Sequence, residues 1–89
     1  MGLKVQALTS EERDALNRRL QADGGMRVAY ACVPAGILIL EHDATERSAA
    51  EVREVLLARV GALLPAPRIM ESDIEQQDAE RRCATARGQ

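Results

Sequence analysis

Aromatic side chains are almost absent: the chain has one Tyr and neither Phe nor Trp among its 89 residues. Proteins that read single-stranded nucleic acid stack bases on two or three rings, and Tyr30 alone cannot form such a platform. A net charge of -2 and an isoelectric point near 5.4 also give no overall attraction to phosphate. Histidine and lysine are each represented once, by His42 and Lys4, so the basic residues are nearly all Arg, a bias of genome composition. The two cysteines, Cys32 and Cys83, lie far apart without the spacing of metal ligands, so neither a disulfide framework nor a zinc ribbon is indicated. No apolar run approaches the roughly 18 to 20 residues of a membrane span, and the N-terminus lacks a basic region followed by an apolar stretch and a cleavage site. These absences point to the cytoplasm and away from a membrane.

What is present is aliphatic. The core must come from 10 Leu, 6 Val, 4 Ile, 3 Met and 15 Ala, within a composition that is 46% hydrophobic and 29% charged. That suits one soluble domain. It is a thin core, because a small domain buries a modest fraction of its surface and each buried aliphatic side chain contributes about 1.5 to 3 kcal/mol. A second copy or another protein partner is therefore expected.

Residues 3 to 7 alternate apolar with polar and predict a short strand. Thr9 and Glu12 then form a capping box, followed by a helix from Ser10 to Ala22 with a narrow stripe of Ala15, Leu16 and Leu20. Asp14 and Arg18 stand at the spacing of an i,i+4 pair, and Asp23-Gly24-Gly25 ends the helix. Met26 to His42 reads as a hairpin around Pro34-Ala35-Gly36. With Val33 opposite Ile37, one face holds Val28, Tyr30, Cys32, Leu38, Leu40 and His42. The other holds Arg27, Ala29, Ala31, Val33, Ile37, Ile39, Glu41 and Asp43, and Arg27 faces Asp43. A second helix follows a cap at Asp43 with Glu46 or Ser48 with Glu51; Ala49, Val52, Val55, Leu56, Val60 and Leu63 recur at helical spacing, and Pro65 and Pro67 end it. Arg68 to Glu71 is expected as an edge strand. Ser72-Asp73-Ile74-Glu75 forms another capping box, opening a segment to Arg87 whose poor apolar content (Ile74, Ala79, Cys83, Ala86) makes it a marginal helix or a tail.

Strand, helix, strand, strand, helix, strand is the order of the ferredoxin-like α/β sandwich, in which two helices cover one face of an antiparallel sheet. The expected organisation is a two-layer βαββαβ domain over residues 1–71 and a C-terminal helix or tail over 72–89. From Val5 to Gly61 the pattern resembles heavy-metal-associated domains: a strand, a loop entering a helix, a Gly-bounded turn, the hairpin, then Ser48-Ala-Ala-Glu-Val-Arg-Glu-Val-Leu leading to Gly61. Those carriers place Cys-x-x-Cys after the first strand, where this chain has Leu8-Thr9-Ser10-Glu11-Glu12. Metal transfer is accordingly not carried over. The chain is also similar to ACT-like modules, a resemblance that implies pairing through sheet faces or edges.

The candidate chemistry is sparse. His42 lies between Glu41 and Asp43, but strand alternation turns it to the opposite face, and at about 3.3 Å per residue it stands roughly 13 Å from the level of Cys32. It reads as a structural or capping histidine. Cys32 reads as a small buried hydrophobe. Cys83, beside Arg81 and Arg82 on a poorly buried segment, is the more reactive thiol by position, and an incidental one by function. Ser10, Ser48 and Ser72 serve as caps or cap neighbours, and Gly24-Gly25 opens no helix that would cradle phosphate. No catalytic residue, cofactor or metal site is predicted.

The remaining signal is the open sheet face, where Ala29, Ala31, Val33, Ile37 and Ile39 form an apolar patch rimmed by charge, as protein interfaces are. Either a second molecule covers it, or the C-terminal segment folds over it through Ile74, Ala79 and Cys83. The expected function is that of a non-enzymatic interaction or accessory module, homodimeric through this face, with Arg81 and Arg82 as further contacts. Two alternatives are a ligand- or metal-handling regulatory domain of the same fold and a component of a nucleic-acid complex contacting phosphate through Arg81, Arg82 and Arg87; the acids preceding these arginines disfavour nucleic acid.

Overall fold

Helix α1, Ser10–Ala22, begins where the sequence places it: the Thr9 side chain accepts from the Glu12 amide and the Glu12 carboxylate accepts from the Thr9 amide, each at 3.1 Å. The computed structural model describes residues 1–43 and 47–88. Around α1 stand strands β1 (Gly2–Val5), β2 (Met26–Cys32) and β3 (Ile37–His42), then helix α2 (Ala49–Leu63). A single 3₁₀ turn over Ala66–Arg68 leads into β4 (Ile69–Ser72), and α3 (Gln76–Ala86) follows. The fold is mixed α/β, with every neighbouring strand antiparallel in the order β2-β3-β1-β4. Strands β1 and β3 are thus central.

The larger core lies between this sheet and α1 with α2. Val52, Leu56 and Val60 of α2, with Leu64 at its C-cap, recur every four residues and meet Leu16 and Leu20 of α1 over Leu3, Val5, Leu38 and Leu40 of the sheet. Ser48 caps α2 through a bond from the Glu51 amide at 3.2 Å. The alternative cap at Asp43 required Glu46, which lies outside the described residues. On α1, Asp14 pairs with its neighbour Arg13 at 3.1 Å.

The hairpin departs from expectation. Its loop spans the four residues Val33–Gly36, so that Cys32, rather than Val33, pairs with Ile37. Gly36 adopts φ +68°, donates to the Val33 carbonyl at 3.0 Å and accepts from the Val5 amide at 2.7 Å. Because side chains alternate, a register change of one residue exchanges the faces. Tyr30 and Cys32 therefore leave the side of α1 and α2 and join Ile37 and Ile39. A bulge between Val28 and Tyr30 restores the original facing beyond it: Val28 opposes Leu40, and Arg27 pairs with Glu41 at 3.1 Å instead of with Asp43. Asn17 of α1 accepts from the Val28 amide at 3.0 Å, occupying a donor on this edge strand.

One ion pair joins the start of α1 to the approach to β4. Arg68, at the end of the 3₁₀ turn, donates to both oxygens of Glu12 at 2.5 and 2.8 Å, and to the carbonyls of Gln6 and Ala7 at 3.2 and 2.9 Å. The hydrogen bond from Arg68 is the main reason that the Glu12 carboxyl titrates at about 2, well below its usual range, with the Thr9 amide and the charge of Arg68 acting in the same direction against the cost of burial.

A carboxyl with a depressed folded-state pKa stabilises fully above its unfolded value near 4.5 and loses that contribution as pH falls towards 2. Glu12→Gln, which can retain the cap bonds, is therefore expected to lower the melting temperature at pH 7 and to flatten its fall across this acid window. At Gly36, a Cβ would strike the Val5 carbonyl oxygen and the positive φ would be strained, so Gly36→Ala should cost on the order of 1 to 3 kcal/mol in urea denaturation.

Candidate interaction site

Of the two covers considered for the sheet face away from α1 and α2, the structure has the C-terminal segment, as α3. Its residues Ala79 and Cys83, four apart, are buried together with Ile74 against Cys32, Ala35, Ile37 and Ile39, and Tyr30 packs half-buried beside them. The segment after residue 72 is a docked helix over this part of its length. Its expected capping box does not form: Ser72 belongs to β4, where its hydroxyl accepts from Arg53 at 3.2 Å, and α3 starts at an N-cap Glu75 that makes no side-chain cap bond. The chain crosses from β4 to the far face through Asp73, at φ +83°, whose carboxylate pairs with Arg53. The amides of Asp73 and Ile74 both donate to the Gly2 carbonyl, at 2.8 and 3.0 Å. A side chain at Gly2 would collide with the Ile74 backbone.

A disulfide fastens this cover. Cys32 and Cys83 are bonded at 2.09 Å with their Cα atoms 5.9 Å apart. Cys32 is buried as expected, but the bond overturns the readings that Cys83 is the more reactive thiol and that no disulfide framework is indicated. The physical reason is the hairpin register: only with Cys32 opposite Ile37 does its sulfur face α3. Two cysteines in the sequence made one bond arithmetically available, but their pairing required the four-residue loop.

Outside the buried line, α3 is strongly charged. Arg82 bonds to Glu71 of β4 at 2.9 Å and to Asp78 one turn back at 2.9 Å, while Arg81 meets Asp78 at 3.1 Å. The bond that Arg82 donates to Glu71, reinforced by the charges of Asp78 and Glu71, holds the Arg82 guanidinium in its protonated form even more firmly than usual. Along one flank Lys4, Ala35, Asp78, Arg81, Arg82 and Thr85 line a cleft of about 470 Å³. Lys4 Nζ donates to the Ala35 carbonyl at the floor of this cleft. The acids Glu71, Asp73, Glu75 and Asp78 line an adjoining cleft of about 420 Å³ that shares Asp78, Arg81 and Arg82 with the first.

Comparison with protein-family models, curated proteins and solved structures finds no match for the chain. The site is therefore described by its own residues. Of the expected contact residues, Arg81 and Arg82 do come together, and Lys4 joins them from the central strand β1. Ile37 and Ile39 are buried under α3 instead of forming an open patch. Ala31 and Val33 pack against the larger core, and Ala29 is exposed at the β2 bulge. These five residues thus do not form one surface. His42 is exposed at the end of β3 with Nδ1 2.8 Å from the Asp43 carbonyl oxygen. Among the described residues no three His, Cys, Asp or Glu side chains are grouped to hold a metal ion, and no helix is long and apolar enough to cross a membrane. The alternation of β1 set Lys4 on the rim of this face, but it did not show that α3 would bring Arg81 and Arg82 to it.

An isolated helix as short as the eleven residues of α3 is marginal in water, where roughly 12 to 15 residues are needed. Its place on the sheet thus leans on the covalent bond. Cys83→Ser is expected to lower unfolding stability by about 2 to 4 kcal/mol. Hydrogen exchange should show protection lost first across residues 76–86 while α1 and α2 stay protected.

Proposed function

We propose that the chain is a non-enzymatic protein-interaction module of ferredoxin-like architecture, with the α3 side of its sheet as the contact surface. The strand order, with β1 and β3 inside and α1 and α2 on one face, supports the architecture. The observation that carries the function is the convergence of Lys4 with Arg81 and Arg82, residues from opposite ends of the chain, around one cleft beside a covalently fastened helix. Fixed cations in a shallow, partly apolar cleft suit a carboxylate-bearing segment of a partner protein. Asp78 in the cleft itself and Glu71, Asp73 and Glu75 in the adjoining one oppose a polyanion that would extend across the helix. This favours protein over nucleic acid. A disulfide-bonded chain belongs most naturally to an oxidising compartment, and the cytoplasmic assignment is not retained.

The test uses the oxidised chain with a poly-glutamate peptide and a single-stranded oligonucleotide as probes, followed by NMR at low salt. Peptide-induced shifts are expected at Lys4, Arg81 and Thr85, and Arg81→Glu should weaken binding several-fold. Binding that ignores this substitution, or tighter binding of the oligonucleotide, would overturn the reading.

A further inference from the structure

We infer that the sheet face beneath α3 is a concealed docking surface for a second copy of this chain, uncovered when the Cys32–Cys83 disulfide is reduced. The inference rests on reading the chain as an interaction module, but it does not depend on the cationic cleft.

The face has the make-up of a self-complementary interface. Ile37, Ile39, Ala35 and Cys32 form its apolar centre with Tyr30 at the side. Around them, strand pairing sets two pairs of opposite charge: Arg27 against Glu41, and Lys4 against Glu71. Two cations and two carboxylates around an apolar centre carry no net charge, so the rim steers neither polyanions nor polycations. They do allow each copy to present both signs to its twofold mate, as an isologous interface requires. The sheet edges offer a poorer route. The β2–β3 pairing has a bulge between Val28 and Tyr30, the β1–β4 pairing breaks register between Lys4 and Val5, and Asn17 already occupies the Val28 amide. Bulged and capped edges resist strand addition. A second copy is therefore expected to approach through the face.

The cover over that face is slight. Only Ala79 and Cys83 of α3 are buried, its N-cap makes no side-chain bond, and Arg82 ties it to the sheet through Glu71, while the Arg82–Asp78 pair stays within the helix. Cys83 lies in the last turn of the helix, where fraying exposes its sulfur before the rest of α3 separates. The reductant is a soluble dithiol. Its thiolate attacks the Cys83 sulfur, the bond between the cysteine sulfurs breaks, and Cys32 leaves as a thiolate. The second thiol of the reagent, once deprotonated, attacks the mixed disulfide and frees Cys83. Two electrons pass from the dithiol to the cystine, the reagent departs as its cyclic disulfide, and the two cysteines take up the two protons that the dithiol gives up. Without the bond, α3 swings away about the crossing at Asp73–Glu75.

The mass of the full chain in solution, measured by light scattering at high concentration with and without dithiothreitol, tests this. The oxidised chain is expected at 9.7 kDa and the reduced chain at twice that value. Cys83→Ser should dimerise without reductant, and Glu41→Lys in that background should weaken the dimer without disturbing the helices read by circular dichroism. A reduced chain that stays monomeric would overturn the proposal, as would an oxidised chain that dimerises equally or α3 amides that remain protected after reduction. Failure of the poly-glutamate peptide to bind the oxidised chain would remove the cleft reading alone.

Discussion

The pairing of Cys32 with Ile37 at the mouth of the β2–β3 hairpin controls more of this molecule than any other contact. It assigns Tyr30 and Cys32 to one side of the sheet and Ala31 to the other, and so settles which side can carry a disulfide. Gly36 makes this register possible, because its left-handed conformation closes the four-residue loop and lets its carbonyl reach the Val5 amide. Loop geometry at one end of the hairpin therefore reaches α3, some fifty residues further along the chain.

The two faces of the sheet are held by different means. Towards α1 and α2, Leu and Val side chains repeat at helical spacing and interlock in a continuous apolar layer. Towards α3 the layer consists of Ile, Ala and Cys, with a single half-buried ring. Dispersion and desolvation scale with the apolar surface removed from water, so small side chains bring little. The covalent bond compensates by removing conformational freedom from the unfolded chain. Ion pairs from Arg82 and Arg53 then orient α3 and its approach, but exposed pairs of this kind add little stability of their own.

This asymmetry links stability to the proposed roles. A helix that is held mainly by one bond can present a rigid charged surface while the bond lasts and expose an apolar one when it breaks. The Glu12–Arg68 pair lies elsewhere, joining the start of α1 to the approach to β4.

Much of the local structure was legible in the sequence, since short-range forces decide it. The Thr9–Glu12 capping box and the span of α1, the α2 stripe with its Ser48 cap, and the edge strand after two prolines all depend on residues within one or two turns of each other. The Ser72–Glu75 box failed because tertiary pairing with Leu3 and Arg53 claimed Ser72 for the sheet. The hairpin register was misread by one residue because a three-residue and a four-residue loop both place Gly36 acceptably, and only contact with β1 separates them. By itself, then, the sequence determined the strands, the first two helices, their order and the apolar sides of α1 and α2, through periodicity and caps, and left the segment after residue 72 as a helix or a tail. The tertiary structure alone decided that α3 covers the sheet, that Cys32 meets Cys83 and that Lys4 joins Arg81 and Arg82, because each depends on register and chain crossing, which no local pattern encodes.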